Sequence, residues 1–70
     1  MYVVLELQKT GERISTLVTQ HDTLNEAKSK FFAILSVAAG SPLDRHYVSI
    51  LTEKGQSIMN DGFDHNKEVE

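Results

Sequence analysis

From Thr23 to Gly40 the segment TLNEAKSKFFAILSVAAG carries apolar residues at helical spacing: Leu24, Ala27, Phe31, Ile34, Leu35 and Ala38 recur at intervals of three, four and seven. That is one apolar stripe on one amphipathic helix. Its start is marked by Thr23 with Glu26 three residues on, a capping-box spacing, with Asp22 as the competing N-cap. Its end is marked by Gly40, a natural C′ residue, and by Pro42, which cannot continue a helix. On a helix, neighbours point about 100° apart, so Phe31 sits mid-stripe and Phe32 falls on its rim beside Lys28 and Ala39.

Strand-like segments flank this helix on both sides. YVVLELQ sets Val3, Leu5 and Leu7 on one face and Tyr2, Val4 and Glu6 on the other; RISTLVTQH sets Ile14, Thr16 and Val18 opposite Leu17 and Thr19. The short link KTGE between them predicts a hairpin, and HYVSILT, EKGQ and SIMNDGF predict a second. Gly11 and Gly55 fall where a turn needs a positive φ. The expected fold is α+β in the order ββαββ, an antiparallel four-stranded sheet with one helix packed on one face. Residues 1–64 form this single domain, and 65–70 form a polar C-terminal tail.

One helix covers only one side of such a sheet. If Val3, Leu5, Leu7, Ile14, Val18, Val48 and Ile50 face the helix, alternation sends Tyr2, Val4, Leu17, Tyr47 and Leu51 to the opposite face. That apolar set, with Phe32 on the helix rim, is the expected interface of a homodimer or larger homo-oligomer. A chain of 70 residues buries only about 60% of its unfolded surface, which makes association a natural source of further stability.

The chain has no cysteine, so disulfides and thiolate metal sites are excluded. Ten acidic and seven basic residues give a formal charge of −3. The basic residues are scattered, which argues against nucleic acid as a partner. No apolar run approaches the roughly 20 residues of a membrane span. His21, His46 and His65, with Asp22, Asp44, Asp61 and Asp64 nearby in sequence, lack the spacing of a metal site. Neither a nucleophile elbow nor a phosphate-binding loop is present, so the expectation is no metal, no cofactor and no enzymatic activity.

MYVVLELQ, STLVTQHDTLNEAKSKFFAILSVAAGS and HYVSILTEKGQSI together resemble a set of short proteins carried by phages and prophages of gut bacteria. The likeness spans nearly the whole chain and supplies no activity. What it implies is a setting, a small accessory protein in a bacterial host cytoplasm, and for such proteins a binding role that blocks a host component, often one of its defences. Three readings stay open: a non-enzymatic inhibitor of a host protein, an oligomeric sponge for a nucleotide-type ligand held by Arg13, Lys28, Lys30 or Arg45, and a structural phage component.

Overall fold

The computed structural model describes residues 1–65. Its elements run β1 (Tyr2–Thr10), β2 (Arg13–His21), α1 (Leu24–Ala39), β3 (Arg45–Thr52) and β4 (Ser57–Asp64). All neighbouring strands are antiparallel, in the order β2-β1-β3-β4, and α1 lies across one face. This is the expected ββαββ α+β architecture.

Local chemistry accounts for the turns and caps. Thr10 pairs with Arg13 around a two-residue loop, and Gly11 takes φ +61° while Glu12 does not turn positive. Glycine at the first loop position is the requirement of a type II′ hairpin. At the other hairpin Gly55 adopts φ +88° and donates its N–H to the Thr52 carbonyl at 2.8 Å, while Thr52 Oγ1 accepts from Lys54 and Gln56 at 3.2 Å each. At the helix start Thr23 Oγ1 accepts the Glu26 N–H at 3.2 Å, which satisfies one donor that the first turn leaves unpaired. Gly40 departs from expectation. It sits at φ −108° and not in the left-handed region, because the last turn tightens instead: Gly40 bonds Val37 O and Ser41 bonds Ala38 O, both at 3.2 Å.

The loop after the helix anchors distant parts of the chain. Asp44 Oδ2 accepts the Gly11 N–H at 2.7 Å, fixing the tip of the first hairpin, and the Asp44 carbonyl accepts the His65 N–H at the same distance. His65, assigned to the polar tail, also places Nε2 2.9 Å from the Ala38 carbonyl at the helix C-terminus and stacks its ring on Phe63. The rest of that tail, 66–70, lies outside the described residues.

Strand register reverses the expected sidedness of β1 and β2. Directly opposed residues share a face, and Val4 opposes Ile50 and Thr19, while Glu6 opposes Val48 and Leu17. Val4, Val48 and Ile50 are buried with Ala27, Phe31 and Ile34 in one core cluster, against which Tyr2, Leu24, Leu35 and Met59 pack. The even-numbered residues of β1 and the odd-numbered residues of β2 therefore lie on the helix side. Val3, Leu5, Leu7, Ile14 and Val18 lie on the open side. Once the helix takes Val48 and Ile50, the β1–β3 register fixes which set of β1 goes with them, and a one-residue change of phase moves every side chain across the sheet.

Candidate functional site

Two arrangements carry chemistry: the uncovered sheet face and a polar pair beneath the helix. On the open face Leu5 opposes Val18 and Ser49, Leu7 opposes Thr16 and Tyr47, and Val3 opposes Leu51. With Ile14 beside Lys9, this makes a continuous apolar surface across three strands. Ile14 and Val18 are 60% and 59% exposed. Toward the first hairpin it ends at Lys9, Arg45 and Asp64, where Arg45 Nε stands 3.5 Å from Asp64 Oδ2; past its other end the Met1 ammonium stands 3.6 Å from Glu53 Oε1.

Of the residues expected there, Tyr47 and Leu51 lie on the open face. Tyr2, Val4 and Leu17 do not: Val4 is in the core at 1% exposure, Tyr2 packs against that core, and Leu17 faces the helix side of the edge strand. Phe32 remains half exposed, and its ring meets Phe31 edge to face at 5.3 Å and 87°, the preferred geometry for the two aromatic quadrupoles. It thus completes the rim of the core while leaving one face bare.

Tyr47 owes its position to Gly62. The two are cross-strand partners, and a Cβ at position 62 would stand 2.5 Å from the His46 carbonyl oxygen and 2.7 Å from Tyr47 Cα, and collide with the Tyr47 ring. Backbone atoms cannot move aside as a flexible side chain can. Gly62→Ala should therefore cost about 1–3 kcal/mol, the range of overpacking, and displace Tyr47 from the open face. A urea midpoint matching that of the parent protein would refute this.

The second arrangement was not foreseen from the sequence. His46 is 3% exposed, and its Nε2 lies 2.5 Å from Glu6 Oε2, which also accepts from Gln8 Nε2 at 2.9 Å. An ionised carboxylate only accepts, so Nε2 carries the hydrogen of that contact. His46 Nδ1 is buried without a partner. Burial is the largest influence on Glu6 and opposes its ionisation; the hydrogen bonds from Gln8 and His46, with the attraction of His46 and Lys30, together outweigh it and hold the carboxyl below its ordinary 4.5. The available signal was phase: Glu6 alternates with Val4, and His46 alternates with Val48 and Ile50. His46 is buried while the Glu6 side chain stays 16% exposed, so the pair sits at the margin of the core on the helix side of the sheet.

The four basic residues of the ligand-binding alternative are not gathered. Arg13 lines a shallow cleft with Gln8, Thr10 and Ser15 at the hairpin end, whereas Arg45 pairs with Asp64 on the opposite face. Lys28 and Lys30 project about 200° apart around α1. The histidines also separate: His21 Nε2 is 2.9 Å from Thr19 Oγ1, His46 meets Glu6, and His65 meets Ala38. Among the described residues no cluster of three His, Asp or Glu side chains is placed to hold a metal, and no helix is long and apolar enough to cross a membrane. Compared with known proteins, the chain matches no family model, no curated protein and no solved structure.

Proposed function

We propose that the chain is a non-enzymatic binding module that works as a self-associated particle, two copies packing their uncovered sheet faces together with the helices outward. The observation that carries this reading is the apolar set Val3, Leu5, Leu7, Ile14, Val18, Tyr47 and Leu51 on the face that α1 leaves open. A second copy is the occupant that area favours. Strands of nine residues at about 3.3 Å, four across at about 4.8 Å, give a face of about 500–600 Å², so two copies bury about 1,000–1,200 Å² together, at the threshold of specific interfaces. The middle of the face bears no charge, so nothing repels when it meets itself around a two-fold axis.

In the setting that the phage resemblance implies, such a particle acts by occupying a host protein and not by turning over a substrate. The burial of His46, at 3% exposure, supports this, since its ring is turned into the fold and not toward solvent. The dispersal of Arg13, Lys28, Lys30 and Arg45 speaks against a phosphate-binding sponge.

The test is Leu5→Glu, which sets a carboxylate mid-face. It would be solvated in a single copy and trapped without a partner between two. The particle mass in sedimentation equilibrium at micromolar concentration should fall while the far-ultraviolet circular dichroism is retained. An unchanged mass would overturn the face pairing.

A further inference from the structure

The two edges of the sheet are unlike. β4 is blunted: its pairing with β3 skips a residue between Ile50 and Leu51, leaving Ile58 as a bulge, and Asp61, Gly62 and Asp64 follow along the strand. Bulges and charges on an edge are the devices by which sheets avoid pairing with further strands. β2 carries none of them. Its nine residues pair with β1 in unbroken register, contain neither proline nor glycine, and hold a single formally charged residue, Arg13, at one end. Ile14, Leu17 and Val18 along it are all more than half exposed.

We infer that β2 is a pairing edge whose occupant is β2 of a second copy, joined antiparallel about a two-fold axis at Leu17 into a continuous eight-stranded sheet. This goes beyond the face pairing; the match along the strand stands without that pairing, and only the gain in shared face area rests on it. The strand's own sequence fits the arrangement. Pairing centred on Leu17 sets Ile14 opposite Gln20, Ser15 opposite Thr19, Thr16 opposite Val18, and Leu17 opposite itself. Arg13 then meets His21 of the second copy, next to Asp22, so no like formal charges oppose each other along the nine paired positions. Thr16 and Val18 form β-branched pairs on the open face, the combination that stabilises cross-strand contacts. The seam gains about eight to ten backbone hydrogen bonds, within the range of a typical specific interface.

Area supplies the second argument. One sheet face stands at the lower limit of what a specific interface needs, whereas two edge-joined sheets present about 1,000–1,200 Å² of continuous face. Edge and face pairing around perpendicular axes then close into a tetramer with two sheets inside and four helices outside.

Because the chain has no cysteine, register can be read by cross-linking. Residues opposed across antiparallel strands have Cα atoms about 4.5–5.5 Å apart, inside the range a disulfide spans. With oxidised glutathione as the oxidant, Leu17→Cys should form a covalent dimer many-fold faster than Ser15→Cys or Thr19→Cys. Equal rates at the three positions, or no dimer from Leu17→Cys, would overturn the inference. Leu17→Lys places an ammonium on the edge and should halve the particle mass; a mass unchanged by Leu17→Lys would also overturn it, whether the edge then binds nothing or takes an extended strand of another protein. The failures are distinguishable. If only the face pairing is wrong, the parent protein is a dimer that Leu17→Lys converts to monomer and Leu5→Glu leaves intact. If only the edge pairing is wrong, the two variants exchange these outcomes.

Discussion

Phe31→Ala should lower the unfolding free energy by about 3–5 kcal/mol, the usual loss for deleting a buried aromatic. Phe31 is 2% exposed and is the largest fully buried side chain. It sits among Val4, Ala27, Ile34, Val48 and Ile50, so its removal opens a cavity bordered by helix and sheet together. The edge-to-face contact with Phe32 disappears as well, and such pairs contribute about 0.5–1.5 kcal/mol beyond their area. In a domain whose whole stability is of order 5 kcal/mol, this approaches complete unfolding. Phe31→Leu keeps most of the volume and should cost less than half as much, so the pair of urea midpoints separates cavity formation from general intolerance. Equal midpoints for the alanine variant and the parent protein would show that the helix does not rest on this ring.

Glu6→Leu should cost about 3 kcal/mol, because it leaves His46 with neither ring nitrogen bonded inside the core. Glu6→Gln isolates the proton-linked part of the effect. The Glu6 carboxyl is held below its ordinary 4.5 in the folded chain; a depressed folded value means that the unfolded chain binds the proton more tightly. The resulting stability is fully present above about pH 4.5 and is lost as pH falls through the folded value. Between pH 6 and pH 3 the midpoint should thus fall more steeply for the parent protein than for Glu6→Gln. Parallel slopes would show that the pair contributes nothing linked to this proton.

Element order, the Thr23 cap and the two turn glycines were legible in the sequence because each depends on rules acting within a few residues. Sidedness was not. Alternation tells which residues of β1 share a face, yet both of its sets contain apolar residues, and Val3, Leu5 and Leu7 look the better core set beside one that includes Glu6 and Gln8. The helix covers the latter set because Val48 and Ile50 enter the core and pair with Glu6 and Val4, and His46, opposite Gln8, gives the carboxylate a donor. That contact joins residues 40 apart in sequence, beyond the reach of any periodicity. The more apolar set is left outside, on the face that the proposed pairing with another copy would cover. Gly40 does end α1, yet at φ −108° and not in the left-handed region, since α1 closes through 3₁₀-type bonds and a side chain from beyond β4.

The order of strands also governs how the chain becomes one cooperative unit. Each hairpin joins near neighbours, but β1 and β3 meet across 36 residues at Lys9 and Arg45 and across 50 at Tyr2 and Thr52. Closing loops of that length carries an entropic cost that the hairpins escape. The buried pair Val4 with Ile50, and buried Val48 opposite Glu6, straddle this one seam, and Phe31 packs onto it from above. Neither hairpin therefore owns a hydrophobic core. Separated, each would be a bare two-stranded ribbon of marginal stability, so the halves are bound to form and to melt together, and the helix that connects them is also what holds them in step.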